Sequence, residues 1–361
     1  MKTIVFFVVD IHLEGGGERV VSNMAQYFTE KLGYATEIIS MDQRRGPIIF
    51  PIPKSTKISY LDVKQDLVES PSGKLRRSMT TYRRLKQKLK TYGNDTYILG
   101  IGTYANVLLG LAPCKKAKKI GTEHIAFSSL GKLWMSLRKA TYKKLEVVTS
   151  LTEKDVAPLS TVSKRCVVIP NARTFEPIEK KANTDNKEIL AIGRFTTAKG
   201  YDYMLEVISD VTKVNHEWRF KIIGDGPLKD WILTEIKQRQ LEDYITVLSP
   251  TKDIRQHYEQ AAIYLMTSRH EGLPMVLLEA QAMGLPIVSF DCDTGPRDII
   301  TNGKDGFLIE PFDTAKLAGK LLTLMEDPDL RRRFSDQALL SSEKFSAENI
   351  YRKWTSLFET I

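Results

Sequence analysis

The sequence predicts an α/β protein of two domains, each a Rossmann-like, doubly wound parallel sheet. Three observations predict it. A chain of 361 residues exceeds what one hydrophobic core usually supports. Short apolar, β-type runs alternate with helical patterns along its length, which calls for parallel strands covered by helices on both faces. The stretch RTFEPIEKKANTDNKE, just after IPNA (169–172), is poor in apolar residues and rich in charges and turn formers, as a linker is.

The elements follow in order. MKTIVFFVVD supplies a buried first strand, Ile4–Val9; its apolar run is too short for a secretory signal and is interrupted by Asp10, His12 and Glu14. EGGGERV (14–20) then opens a helix from about Glu18, and Ala35–Ser40 is the next strand. Tyr97–Ile101, Lys119–Thr122, Val147–Ser150 and Val167–Ile169 complete the strands of the first half. The second half has clearer ones: Glu188–Ile192, Arg219–Ile223, Ile245–Leu248, Ile263–Met266, Ile287–Phe290 and Phe307–Ile309. This sets the domains at 1–172 and 187–344, with a terminal helix over 345–361, where Phe345, Ile350, Trp354 and Phe358 recur near helical spacing.

Composition narrows the function classes. Hydrophobic content of 42% and charged content of 27% are ordinary for a folded soluble protein. No apolar run reaches the ~18 residues of a membrane span. Cys114, Cys166 and Cys292 are far apart and show neither disulfide nor metal spacing, so a reducing cytoplasm is the expected location. Residues 1–170 hold 28 Lys/Arg against 14 Asp/Glu, a net +14, whereas residues 171–361 hold 25 against 30, a net −5. Halves of opposite sign are expected to meet different partners.

Ligands of doubly wound sheets bind at the carboxyl ends of the strands, and two such domains are expected to turn those ends toward a common cleft. The loops after the strands are therefore the candidates. In EGGGERV, Gly16 and Gly17 let backbone N–H groups approach an anion at a helix start, or simply make a tight turn; the dinucleotide spacing G-x-G-x-x-G is absent. In GRFTTAKGYDYML (193–205), Gly193 frees the backbone, and Arg194 as a fork and Lys199 as a point charge suit a diphosphate. The alternative there is two solvated surface cations. GDGPLKD (224–230), with Gly224, either lines a nucleotide site or only turns the chain.

The stretch 269–288, RHEGLPMVLLEAQAMGLPIV, poses the sharpest problem. Pro274 opens a helix that is apolar on every side and should be buried. Glu279 sits in its middle, where a lone ionised carboxylate costs several kcal/mol unless something pairs with it. Eight helical positions sweep about 800°, so Glu271 and Glu279 lie about 80° apart in angle and can address one ligand. Free N–H groups near Gly272, Leu273 and Met275 can hold sugar hydroxyls or a phosphate oxygen. The alternative is a structural carboxylate paired with a buried cation. His124, in GTEHIAF (121–127), follows a short strand, where a core or loop histidine is the plainer reading.

Taken together these residues resemble a family. EGLPMVLLE is similar to the two-glutamate signature of retaining nucleotide-sugar glycosyltransferases of the GT-B fold, most nearly their family four, the group 1 glycosyltransferases. GRFTTAKG resembles the family's Arg/Lys diphosphate loop, GGGERVVSN its N-terminal glycine loop and IPNA its inter-domain strand end; GDGP and 345–361 also fit. The resemblance spans the chain, densely in the second half and sparsely over 45–115. It implies that Glu279 accepts hydrogen bonds from the ribose hydroxyls, that Glu271 and His124 lie beside the donor sugar, and that Arg194, Lys199 and the Gly16 N–H bind the diphosphate. It implies a terminal helix returning to the first domain. Gly17 stands where the family often has Ala, and Thr267–Ser268 where it often has Pro-Ser.

The implied reaction moves a hexose or N-acetylhexosamine from a nucleoside diphosphate, UDP by family frequency, to a saccharide or polyprenyl-diphosphate-linked saccharide, with retention. Bacterial capsule, O-antigen or exopolysaccharide synthesis is the implied setting. No metal and no cofactor beyond the donor sugar nucleotide are expected, since the Asp-x-Asp of DCDTGPRDII (291–300) is a weak metal signal and Arg194 and Lys199 take a metal's place. Arg297 in that loop is a cation without an assigned role. A sugar-nucleotide 2-epimerase and a non-catalytic nucleotide-sugar-binding protein are the rival readings. Residues 74–90, KLRRSMTTYRRLKQKLK, hold eight basic residues and no acidic one, with Leu75, Met79, Tyr82, Leu85 and Leu89 at helical spacing. That pattern suits either an anionic membrane surface or a core-facing stripe with a solvated basic face. No aromatic-interleaved basic motif points to nucleic acid.

Overall fold

The computed structural model describes residues 1–13, 15–42, 46–63, 71–176, 182–251 and 253–361. Glu14 and residues 177–181 of the expected linker lie outside them. The chain forms two compact units, Met1–Ala172 with Ala347–Ile361, and Arg173–Ser346.

Unit 1 is built on strands β1 (Thr3–Val8), β2 (Ala35–Ser40), β3 (Lys57–Tyr60), β4 (Thr96–Ile101), β5 (Lys118–Thr122), β6 (Val147–Ser150) and β7 (Cys166–Val168). They make one parallel sheet in the order β3-β2-β1-β4-β5-β6-β7. Central β1 runs as Ile4, Val5, Phe6 and Phe7, all with no exposure, as a parallel strand covered on both faces requires. Edge strand β3 was not foreseen. Its KISY alternates polar with apolar residues and is only partly buried, so it lacks the continuous apolar run of its neighbours.

The helices of this unit are α1 (Gly16–Gln26), α2 (Pro71–Leu89), α3 (Thr103–Leu111), α4 (Lys132–Thr141), α5 (Val156–Ser160) and, from the end of the chain, α13 (Ala347–Glu359). The stripe expected along α2 divides in two. Leu85 and Leu89 are buried in the core with Leu109 and Tyr142, whereas Leu75 is 64% and Met79 49% exposed. Helix α13 buries Ile350, Tyr351, Trp354, Leu357 and Phe358, and the Tyr97 hydroxyl donates to the Phe358 carbonyl at 2.7 Å.

Unit 2 contains β8 (Glu188–Ile192), β9 (Arg219–Ile223), β10 (Ile245–Leu248), β11 (Ile263–Met266), β12 (Ile287–Phe290) and β13 (Gly306–Ile309). Its parallel sheet has the order β10-β9-β8-β11-β12-β13. Its helices are α6 (Tyr201–Val214), α7 (Lys229–Gln238), α8 (Ile254–Gln260), α9 (Met275–Ala282), α10 (Pro296–Ile299), α11 (Thr314–Glu326) and α12 (Pro328–Ser342). Asp313 and Asp327 cap α11 and α12 by accepting from Lys316 N and Leu330 N. Strand order reverses between β8 and β11, which opens a crevice at their carboxyl ends. The loops that follow β8 and β11 are those carrying Arg194 with Lys199, and Glu271.

Candidate active site

In unit 2 the reversal of strand order brings residues 72 positions apart into contact. Lys199 Nζ lies 2.6 Å from Glu271 Oε1, with side-chain exposures of 27% and 9%. The two loops are stitched by backbone: Arg269 N donates to the Ala198 carbonyl at 2.8 Å, and the Thr267 hydroxyl donates to the Gly200 carbonyl at 2.9 Å. Thr267, standing where the family often has Pro, thus supplies a hydroxyl that holds the loop carrying Lys199. Gly200 is required there: its φ is +64°, and a Cβ would meet the Thr267 carbonyl oxygen at 2.1 Å.

Arg194 is exposed at the end of β8 and makes no ion pair among the described residues. Gly193 joins that strand end to its neighbours, its N–H donating to Ile223 O at 3.0 Å and its carbonyl accepting from the Tyr201 hydroxyl at 2.8 Å. Burial, then the Glu271 charge, pushes the Tyr201 phenol upward, so it stays a donor. Gly224 has a packing reason of its own, since a Cβ there would meet the Gly193 carbonyl at 2.0 Å.

Helix α9 starts after Pro274, which occupies the capping position rather than the first helical one. Leu277 N and Leu278 N both donate to the Pro274 carbonyl, leaving the earlier N–H groups of the first turn for other partners. Leu273 and Met275 are buried, and Gly272 is partly exposed beside Glu271. Glu279 is 1% exposed and accepts a hydrogen bond from the Tyr258 hydroxyl on α8 at 2.9 Å. Sequence reasoning posed the burial problem of Glu279 but missed Tyr258, which no periodicity or motif marks. It also missed Ser268, 1% exposed, whose hydroxyl has no hydrogen-bond partner among the described residues.

The loop after β12 packs onto the same region. The Thr294 hydroxyl donates to the Glu271 carbonyl at 2.6 Å. Arg297, unassigned in the sequence, forks Asp291 at 2.9 and 2.8 Å, so the first carboxylate of the Asp-x-Asp is committed to a guanidinium. Burial, then Glu271, pushes the Cys292 thiol up to about 12 and keeps it uncharged. Among the described residues no group of three or more His, Cys, Asp or Glu side chains is placed to hold a metal ion.

In unit 1, Gly16 and Gly17 form the first turn of α1, with open space where a Gly16 Cβ would be and Ile101 Cγ2 3.5 Å from a Gly17 Cβ. His124 follows β5, partly exposed, with Nε2 3.0 Å from the Thr122 hydroxyl. Burial lowers its pKa to about 4, so the ring is neutral near pH 7. It lines a small recess, open to solvent, with Thr149, Asn171 and Trp354. Its neighbour Glu123 is anchored beneath the loop: Arg138 Nη2 lies 2.8 Å from one carboxylate oxygen, Thr103 donates to it at 2.8 Å, and Tyr142 donates to the other. Sequence reading passed over this buried cluster.

Comparison with known proteins adds the family. Residues 172–340 match the family described as "Glycosyl transferases group 1". A glycosyltransferase of Haemophilus influenzae is 30% identical over 366 residues, covering 99% of this chain and 100% of the relative. The chain belongs to the group 1 glycosyltransferases. The amylovoran biosynthesis glycosyltransferase AmsD of Erwinia amylovora is a further family relative, 26% identical with 99% of both chains covered. Among solved structures, a mutant of S. aureus TarM in complex with fondaparinux, α-GlcNAc-glycerol and UDP superposes with a TM-score of 0.86, at 18% identity, over 99% of this chain and 100% of that one. The group 1 chain described here therefore has the GT-B fold that its two Rossmann-like sheets imply.

Proposed function

We propose that this transferase moves a hexose or N-acetylhexosamine from a UDP-sugar to a hydroxyl of a saccharide, free or polyprenyl-diphosphate-linked, with retention and without a metal. The single observation that carries the reading is the half-open Lys199–Glu271 pair at the strand-order reversal of unit 2, a short way along the chain from Glu279. UDP in the TarM complex and the amylovoran role of the Erwinia relative support the donor and a setting in surface polysaccharide synthesis. The three cysteines are free thiols, which suits work in the cytoplasm, where sugar nucleotides are made.

In this mechanism the bond between the anomeric carbon and the diphosphate oxygen breaks, and its electron pair goes to the diphosphate. Lys199 and Arg194 stabilise that charge together with N–H groups at the start of α9, in place of a metal. The acceptor hydroxyl oxygen bonds to the anomeric carbon from the same face, and its proton passes to the departing diphosphate. Glu271 favours the positive charge growing on the sugar. Glu279 accepts from ribose hydroxyls.

The test is thermal unfolding with UDP, GDP and ADP, followed by acceptor-dependent release of nucleoside diphosphate, with and without a chelator. A ligand at 100 times its dissociation constant adds ~2.7 kcal/mol, a rise of roughly 2 °C or more. A shift with UDP and chelator-insensitive release only with acceptor are expected. Conversion of the donor without acceptor would assign an epimerase, and binding without any turnover a non-catalytic protein.

A further inference from the structure

Helix α2 leaves half of its charge and half of its apolar stripe without a use inside the fold. Arg77 pairs with Asp42, Lys88 with Glu37 at 2.7 Å, and Arg84 donates to the carbonyls of Leu61 and Asp62. Lys74, Arg76, Arg83, Lys86 and Lys90 are exposed and have no ion-pair partner among the described residues. In the first half of the helix, Leu75 and Met79 lie one turn apart on one face, at 64% and 49% exposure. A merely solvated basic face does not call for exposed Leu and Met.

The neighbouring helix repeats the pattern. On α4, Leu133 is 71% exposed beside exposed Lys132, with exposed Lys139 further along. Tyr104, at the start of α3, ties the two together: its hydroxyl lies 2.9 Å from the Ser78 hydroxyl of α2, and its ring meets Trp134 of α4 edge-on at 6.1 Å. The amino-terminal half of α2 and the first turns of α3 and α4 thus share one end of unit 1, at the carboxyl edge of its sheet. Neither 71–90 nor 132–144 contains an acidic residue.

We propose that this end of unit 1 docks on an anionic phospholipid surface. Lys74, Arg76, Arg83 and Lys132 meet the headgroup phosphates, and Leu75, Met79 and Leu133 enter the boundary between headgroups and acyl chains. Charge selects an anionic partner, and apolar tips drawn from two helices select a lipid surface over a dissolved polyanion, which offers them nothing. The inference goes beyond the proposed reaction and needs neither donor nor turnover. Joined to that reading, it sets the edge bearing Gly16 and His124 near the plane in which a lipid-linked acceptor is held.

The test is co-sedimentation of the full chain with phosphatidylcholine vesicles, with and without about 30 mol% phosphatidylglycerol, at about 50 and about 500 mM salt. Binding at least about tenfold stronger to the anionic vesicles, weakened by salt, is expected. Two triple variants separate the contributions: L75S/M79S/L133S keeps every charge, and R76E/R83E/K132E keeps every apolar tip. Each is expected to lower partitioning at least about tenfold while the cooperative thermal unfolding transition, recorded without ligand, stays as in the unaltered chain, which shows that the variants fold. No vesicle binding, or equal binding to neutral and anionic vesicles, would overturn the proposal. So would full binding by the apolar triple variant with equal binding to a single-stranded oligonucleotide, which would mark a general polyanion surface. Because the assay contains no sugar donor, its failure leaves the reading of the reaction untouched, and failure of that reading leaves the vesicle result standing.

Discussion

Glu123 in unit 1 and Glu271 in unit 2 both follow a strand at the carboxyl edge of a parallel sheet, and both hold a cation. Their surroundings differ. Glu123 and Arg138 are 3% and 0% exposed, and Thr103, Asn106 and Tyr142 add further hydrogen bonds to the carboxylate. Glu271 and Lys199 are 9% and 27% exposed, at a crevice. A sealed pair has no room for a third charge and can only hold its loop in place, here the one carrying His124. A half-open pair can be shared, so in the proposed reaction an incoming diphosphate takes Lys199 without the desolvation cost that breaking the first pair would carry. The same chemistry is thus a fastening in one unit and, in the proposed reaction, a binding device in the other.

The comparison breaks most readily at the sealed pair. Arg138→Met strands the Glu123 charge, and about 3–5 kcal/mol of stability should go with it, lowering the calorimetric midpoint by roughly 10 °C. Adding Glu123→Gln should restore part of that loss, whereas simple additivity of the two would show that the residues are not coupled. Next in size is Lys199→Ala, expected to reduce turnover about 10²–10³-fold while costing less than about 2 kcal/mol of stability. A large fall in midpoint with modest kinetic change would make the second pair a fastening too.

Smaller effects sharpen the contrast. Glu279→Gln keeps an acceptor for Tyr258 but removes the charge, and should weaken UDP binding about tenfold. The discriminating ligand is 2′-deoxy-UDP: it should bind the original chain less well than UDP does, and the variant about equally. An unchanged gap in the variant would sever Glu279 from the ribose. The last test concerns His124, at one pH unit the smallest of these changes. Its folded pKa, about 4, lies below the unfolded value, so the stabilisation is fully present above about pH 6.5 and is lost as pH falls toward 4. Stability of the His124→Gln variant, followed by denaturant titration, should lack that slope, which is under about 1.4 kcal/mol per pH unit.

Much of the fold was legible because parallel strands buried on both faces write themselves as unbroken apolar runs. Five of the six strands of unit 2 begin and end where EILAI, RFKII, ITVL, IYLM and IVSF do, and the sixth starts one residue earlier, at Gly306. Strand β3 hid because an edge strand needs no such run. The stripe on α2 showed a helix but not its cover, since periodicity cannot tell which end meets a neighbour. Motif residues gave the loops of the site, and the contacts within it came from topology. Lys199 meets Glu271 only because β8 lies beside β11, and Tyr258 reaches Glu279 from another helix, 21 residues earlier. Arg297 found Asp291 through the turn between them, which residue types alone do not specify.

The return of α13 to unit 1 has a consequence for how the protein is made. Unit 1 keeps part of its core on the last residues of the chain: Phe358 packs against Phe28 and Tyr97, whose ring centroids lie 5.8 and 4.5 Å away. Unit 2 is continuous in sequence, from Arg173 to Ser346. During synthesis on the ribosome the second unit can therefore be completed before the first, reversing the usual order in which amino-terminal domains mature earliest. Until Ala347–Glu359 has been made, the nascent first unit waits with an apolar face uncovered, the surface that transiently exposed intermediates lose to aggregation.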